Sequence, residues 1–169
     1  MLTRLYNYIN RKEAERSSNA VVLKVKRHLQ PDLWSCGIRS TFTVLYYYKK
    51  LKDIHKLKEY GNREGTDTLV IEEMLNKYGL VLEQIFNSQM SDLTQAIDAG
   101  CLVLTTINDA EHWIVIYGYE KNSFGDVTHL FIADSAFKRI RAKWSVQKFE
   151  KMWKEFDERW LGVVRERNF

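Results

Sequence analysis

The chain has 169 residues, a length that favours one domain, and its 45% apolar and 28% charged residues argue against a disordered protein. Its 26 basic and 22 acidic residues give a formal net charge of +4, and no nucleic-acid-binding motif accompanies this mild, dispersed charge. No apolar run approaches the ~18 residues of a membrane span, so none is expected.

The amino-terminal part is predicted to be an extension that precedes the domain proper. Residues 3–16 have the spacing of an amphipathic helix, so residues 1–20 are taken as an N-terminal helical extension and residues 21–169 as a single domain. The extension is charged throughout and lacks the apolar core of a secretory signal. A cytoplasmic location with reduced thiols is therefore expected for a chain with two cysteines.

The next segment is predicted to lead from an extended stretch into a helix. The β-branched residues of "AVVLKVKRHL" predict a strand or extended segment over 20–29. Pro31 disfavours helical geometry at Gln30, which predicts a turn there. Ser35 is placed to cap a helix that begins near Cys36 and continues through the apolar residues that follow.

Two further helices are indicated by their caps and stops. The segment "GTDTLVIEEMLNKYGL" predicts a helix with Thr66 or Asp67 as its cap and Gly79 as a left-handed stop. The segment "SDLTQAIDAG" repeats the pattern, with Ser91 at one end and Gly100 at the other.

The second half of the chain is predicted to form a largely antiparallel sheet with one late helix. The expected strands are 101–107, 112–119, 128–134 and 159–166, with an extended basic piece over 139–144 and a helix around 145–156. Helices first and strands later predict an α+β fold rather than an alternating parallel one.

One group of residues has the side chains that a cysteine nucleophile needs: a thiol, a histidine, a carboxylate and an amide. A thiol reacts as its thiolate, which a helix amino terminus and a neighbouring histidine both favour, so Cys36 is the candidate nucleophile. His112 begins one apolar strand and Asp134 ends the next, and a hairpin between these strands would place base and orienting carboxylate side by side. The Gln30 amide and the Cys36 backbone N–H are candidates for stabilising an oxyanion.

These residues resemble a papain-like cysteine peptidase. The likeness consists of a glutamine six positions before a cysteine at a helix start, a distant His-Trp on a strand, and an aspartate ending the following strand. More narrowly, it is similar to the double-glycine leader peptidases of bacteriocin exporters and their free-standing relatives, over about residues 26 to 165. The resemblance implies a papain-like fold, with Cys36 as nucleophile, His112 as base, Asp134 as orienter and Gln30 as oxyanion donor.

Two positions depart from the pattern of that family. Its aspartate is usually followed by proline, whereas Ser135 follows here. A small residue often comes two or three places after its Cys-Gly, where this chain has Ile38 and Arg39. An arginine near the nucleophile would face an acidic group of the substrate.

The sequence leaves several functions open around the same residues. The favoured function is a thiol hydrolase that cleaves a peptide bond of a peptide or protein partner through an acyl-enzyme on Cys36. An acyltransferase or a deamidase would use the same residues, and a catalytically silent peptide- or protein-binding module would keep the fold without turnover. Cys101 opens an apolar strand and is expected to be a core residue. No metal-ligand spacing or phosphate loop is present in the sequence, so no metal and no cofactor are expected.

Overall fold

The computed structural model of this protein describes residues 19–50, 65–136, 143–153 and 158–167. In these ranges the strands are β1 (Ala20–Val22), β2 (Leu80–Ile85), β3 (Val103–Ile107), β4 (His112–Lys121), β5 (Val127–Asp134), β6 (Lys143–Ser145) and β7 (Leu161–Glu166). The helices are α1 (Cys36–Tyr47), α2 (Thr68–Lys77), α3 (Met90–Asp98) and α4 (Val146–Trp153). The helix predicted over 3–16 lies outside the described residues, and the division at residue 20 stays a prediction.

The strands form one sheet in the order β2-β7-β3-β4-β5-β6, and every pairing is antiparallel. Strand β4 is long enough to take two neighbours along one edge. Its first half pairs with β3, and its second half pairs with the short strand β1. The predicted α+β class with an antiparallel sheet is confirmed.

Helices cover both faces of the sheet, because successive side chains of a strand point to opposite faces. Val115 belongs to the buried cluster that contains Phe42 of α1, together with residues of α2. Ile116, the next residue of β4, belongs to the cluster that contains Phe149 of α4, together with residues of α3. Each fully buried large apolar side chain stabilises the fold by roughly 1.5–3 kcal/mol. The core therefore consists of two apolar layers with the sheet between them.

The helix caps confirm some local predictions and correct others. Asp67, not Thr66, caps α2, because its Oδ1 accepts a hydrogen bond from the Val70 N–H at 2.8 Å. The helix stops predicted at Gly79 and Gly100 are confirmed, with φ of 72° and 77°.

Helix α3 begins at Met90, and its cap is Gln89 rather than the predicted Ser91. The Gln89 N–H donates to the Asp92 carboxylate at 2.7 Å, so the cap is the residue before Met90. Asp92 stands three positions after Gln89, which is the spacing of a capping box, whereas Thr94 stands three positions after Ser91.

Two other expectations were wrong or incomplete. Ser35 occupies the cap position of α1, but its hydroxyl makes no capping hydrogen bond. Instead, Asp32 Oδ1 accepts from the N–H groups of Ser35 at 2.7 Å and Trp34 at 3.1 Å, which folds the loop before the helix. Strand β2 has no counterpart among the predicted elements, since Glu83 and Gln84 interrupt its alternation. No helix within the described residues has the length and apolarity needed to cross a membrane.

Candidate active site

Cys36 is the first residue of α1, and its side chain is only 5% exposed. The first N–H groups of a helix lack intrahelical acceptors and carry a partial positive charge, which favours an anion at this end. The next residue is Gly37, and the structure leaves no room for a side chain at this position. A Cβ at this position would lie 2.7 Å from Thr66 Cβ and 3.0 Å from Trp113 Cδ1.

The predicted hairpin of β4 and β5 brings His112 and Asp134 together. Asp134 is paired with Ile114, two residues beyond His112, so the two side chains are diagonal neighbours on adjacent strands. His112 Nε2 lies 2.8 Å from Asp134 Oδ1. The carboxylate is 1% exposed, and its Oδ1 also accepts from the Ala136 N–H at 2.9 Å. The backbone contact thus fixes the orientation of the carboxylate that holds the imidazole.

The electrostatics couple Cys36 to His112. Burial alone raises the pKa of the Cys36 thiol. Hydrogen bonds from the His112 ring and the Trp113 N–H, with the charge of His112, outweigh this effect and lower the thiol pKa below its ordinary value. Burial alone also lowers the pKa of His112. Its hydrogen bonds to Asp134 and Cys36 reverse that and raise the pKa to about 9. Both shifts favour a thiolate–imidazolium pair.

Gln30 is joined to this group through the residue that follows Asp134. The Gln30 N–H donates to the Ser135 carbonyl oxygen at 3.0 Å, and the Ser135 hydroxyl donates to Gln30 Oε1 at 2.7 Å. Gln30 Nε2 donates to the Asp32 carbonyl oxygen at 2.7 Å. The loop that carries Gln30 is thereby held against the end of β5.

A groove with a volume of about 780 Å³ opens beside Cys36. Trp113 and Trp160 form part of its wall, with ring centroids 5.6 Å apart and perpendicular planes. The Trp113 indole donates to the Thr66 carbonyl oxygen at 2.7 Å, which anchors the wall next to α2. Phe86, which is 58% exposed, also lines the groove.

The charged side chains among the described residues of this groove are all acidic. Its described lining contains three exposed carboxylates and no basic side chain, the carboxylates being Asp67, Glu111 and Glu158. The chain as a whole carries a formal net charge of +4, so the groove is an acidic area on a basic protein. Such an area favours positive charge in whatever occupies it.

Some residues behave differently from what the sequence suggested. Arg39 lies over the Phe42 ring, with its guanidinium carbon 5.2 Å from the centroid, and is not among the groove residues. It therefore does not line the groove, and its expected contact with an acidic group of the substrate stays a prediction. Cys101 is 8% exposed within the core, as predicted. The sequence analysis did not predict Phe86, Glu158 and Trp160 as groove residues. Of these three, only Phe86 has a local sequence signal, because it is an aromatic residue in the polar turn after β2.

Comparison with known proteins identifies the family. The sequence profile of the peptidase C39 family matches residues 24–157. A search of curated protein sequences finds no match.

Several solved structures share the fold. A double glycine motif protease from an AMS/PCAT transporter, in complex with the leader peptide, superposes with a TM-score of 0.68 at 18% identity, over 89% of this chain and 95% of that chain. The peptidase domain of Streptococcus ComA, a bi-functional ABC transporter involved in a quorum sensing pathway, gives 0.64 at 21% identity, over 85% and 98%. A C39-like peptidase from Bacillus anthracis gives 0.68 at 15% identity, over 89% and 100%. At these identities the similarity shows the fold, which is papain-like.

Proposed function

This protein belongs to the peptidase C39 family, and on that premise we propose that it is a cysteine peptidase that cleaves a peptide bond through an acyl-enzyme on Cys36. The observation that carries the proposal is the continuous chain of contacts from Cys36 through His112 to the buried carboxylate of Asp134. A thiol in the core needs no such chain, whereas a nucleophile does.

In the first half of the reaction, the Cys36 thiolate attacks the carbonyl carbon of the scissile bond, and the carbonyl oxygen becomes an oxyanion. The Cys36 N–H and a Gln30 side-chain N–H are the proposed donors to that oxyanion. The tetrahedral intermediate collapses when the C–N bond breaks. Protonated His112 gives its proton to the leaving amine, and an acyl-thioester remains on Cys36.

In the second half, water attacks the thioester carbonyl while neutral His112 takes up a proton from it. The C–S bond breaks, the carboxylic acid product leaves, and the thiolate–imidazolium pair is restored. Since Asp134 holds His112 through Nε2, Nδ1 is the ring nitrogen that exchanges protons with the thiol, the amine and the water. Asp134 fixes the ring and stabilises its charged form in both halves.

The proposed substrate is a peptide segment bound in the groove beside Cys36. A structure with the same fold holds a leader peptide, which supports a peptide as the occupant. The indole walls of Trp113 and Trp160 offer apolar contact, and the three carboxylates favour a segment that carries lysine or arginine near the scissile bond.

The test is cleavage of a mixture of natural peptides by the purified full chain, with products identified by mass spectrometry. The wild type and the Cys101→Ala variant are expected to cut at the same bonds, and Cys36→Ala at none of them. Cleavage that persists in Cys36→Ala would refute the proposal. Adding a primary amine separates the alternatives, because an acyltransferase gives amide products and a deamidase releases ammonia without chain scission.

A further inference from the structure

The side chain of Ser135, the residue after Asp134, is hydrogen-bonded to the Gln30 amide. Ser135 is 2% exposed, and its hydroxyl donates to Gln30 Oε1 at 2.7 Å. Its carbonyl oxygen accepts from the Gln30 N–H at 3.0 Å. One buried residue thus holds both the backbone and the side chain of Gln30, 105 positions away in the chain.

The two ends of the Gln30 amide have different partners, and these define its orientation. The Asp32 carbonyl oxygen can only accept a hydrogen bond, so the group that faces it at 2.7 Å has to be the NH₂. The amide oxygen then faces the Ser135 hydroxyl, which supplies a donor. Because an NH₂ group carries two hydrogens and Asp32 takes one, the second N–H is left for another acceptor.

The hydrogen bond from Ser135 has two consequences for that second N–H. It prevents rotation of the amide plane about the last side-chain bond, which the contact with Asp32 alone would allow. It also withdraws electron density through the amide, which makes the opposite N–H a stronger donor. Alanine at position 135 would remove both effects and leave the backbone contact in place.

We propose that Ser135 is a positioning residue for oxyanion stabilisation, acting through its hydrogen bond to the Gln30 side-chain amide. This inference rests on the proposed function, since it requires that an oxyanion form beside Cys36. Ser135 does not touch the reacting atoms. Its contribution is to keep one N–H of Gln30 directed and polarised toward them.

The two kinds of reaction that a thiolate undergoes make the proposal testable without a known substrate. Alkylation by iodoacetamide displaces iodide and forms no oxyanion. Acylation by p-nitrophenyl acetate forms a tetrahedral oxyanion, transfers the acetyl group to Cys36 and releases p-nitrophenolate. Rates of both reactions at Cys36 are measured in a Cys101→Ala background, for Ser135→Ala, Gln30→Ala, the double variant, and Ser145→Ala as a matched control.

Ser135→Ala is expected to slow acylation about 10-fold, a fraction of the roughly 10²–10³ that the loss of an oxyanion donor itself costs. Alkylation should stay unchanged, because the thiolate–imidazolium pair is not altered. In the Gln30→Ala background the same substitution should have no further effect, since the amide through which it acts is gone. Ser145→Ala, at a half-buried serine on β6, should change neither rate.

Three results would overturn the proposal. Equal losses of acylation and alkylation would mean that Ser135 merely supports Asp134 and His112. An undiminished effect in the Gln30→Ala background would mean that it acts by another route. Absence of acylation at wild-type Cys36 would mean that no oxyanion site exists. A chain that shows the expected acylation pattern but cleaves no peptide would refute the peptidase function and leave the role of Ser135 standing.

Discussion

The Ser40 hydroxyl of α1 donates a hydrogen bond to the Trp113 carbonyl oxygen of β4 at 3.2 Å, in the interior of the protein. Ser40 lies one helical turn after Cys36, and Trp113 directly follows His112. The bond therefore joins the element that carries the candidate nucleophile to the strand that carries the candidate base. The lack of space for a side chain at Gly37, beside Thr66 and Trp113, shows that the two elements also pack closely there.

Gly37→Ala should destabilise the protein and displace Cys36. By helix propensity alone, alanine at this position is favourable by up to about 1 kcal/mol. The added Cβ would lie 2.7 Å from Thr66 Cβ, and overpacking of this kind typically costs about 1–3 kcal/mol. Urea unfolding should therefore show a net loss of stability, accompanied by slower alkylation of Cys36. Thr66→Gly, which removes the opposing Cβ, should recover part of both; a stabilising effect of Gly37→Ala would contradict the packing argument.

The reactivity of Cys36 should depend on pH in a way that an ordinary thiol does not. Because its pKa is lowered, alkylation of Cys36 by iodoacetamide in a Cys101→Ala background should reach its plateau at a lower pH than alkylation of an ordinary cysteine. His112→Ala removes the hydrogen bond and the charge that lower this pKa. Each unit of pKa that the thiol regains reduces the thiolate fraction at neutral pH about tenfold.

Peptide cleavage should have an upper pH limit that alkylation lacks. The proton that His112 gives to the leaving amine is present below its pKa of about 9 and is lost above it. Cleavage should therefore decline as the pH rises through about 9, while alkylation, which needs only the thiolate, should not. A cleavage rate that keeps rising beyond pH 10 would show that imidazolium is not the acid.

Two substitutions of Asp134 should separate its charge from its hydrogen bond. Asp134→Asn keeps an oxygen that accepts from His112 Nε2–H but removes the negative charge, so the upper pH limit of cleavage should fall toward the ordinary histidine pKa of about 6.5. Asp134→Ala removes both the charge and the acceptor. The rate of cleavage should then fall about 10²-fold or more, as when general acid–base catalysis is lost. Equal pH limits in wild type and Asp134→Asn would show that the carboxylate charge does not hold the proton on His112.

The carboxylates of the groove should determine which peptides are cut. For two peptides that differ only by lysine or glutamate beside the cleaved bond, the lysine peptide should have the higher kcat/KM. Glu111→Gln and Glu158→Gln should each reduce this preference about 1.5- to 5-fold, which corresponds to about 0.2–1 kcal/mol for an exposed charge pair. Glu150→Gln on α4, which does not line the groove, is the control and should leave the preference unchanged. The preference should also fall in 1 M salt, where screening acts over about 3 Å.

Local patterns predicted most of the helices and the central hairpin. Helix stops at Gly79 and Gly100 were identified because glycine tolerates the positive φ that each requires. Strands β4 and β5 were correctly paired because they are consecutive and separated by a short turn, which is the usual condition for antiparallel neighbours. The prediction that His112 and Asp134 lie side by side followed from that pairing, and the structure confirms their proximity.

Several contacts between distant parts of the chain were not predicted. Strand β2 was missed because its partner is β7, near the other end of the chain, and its own sequence alternates weakly. Ser35 was correctly predicted at the cap position of α1, but its hydroxyl makes no capping hydrogen bond, and the role of Asp32 in the loop before the helix was missed. The packing of Arg39 over Phe42 was not predicted, because its position beside the nucleophile in sequence does not determine which side chain it contacts.

Periodicity, turn residues and helix ends act over a few positions, so the sequence was enough to predict most of the elements and the residue types able to activate a thiol. How these residues surround Cys36 depends on the tertiary structure. The groove with its three carboxylates combines residues as far apart in the chain as Cys36 and Trp160. The bond from Ser135 to Gln30 joins two loops 105 positions apart. Such contacts depend on sheet order and helix packing, which are set by burial of the whole core rather than by any local stretch.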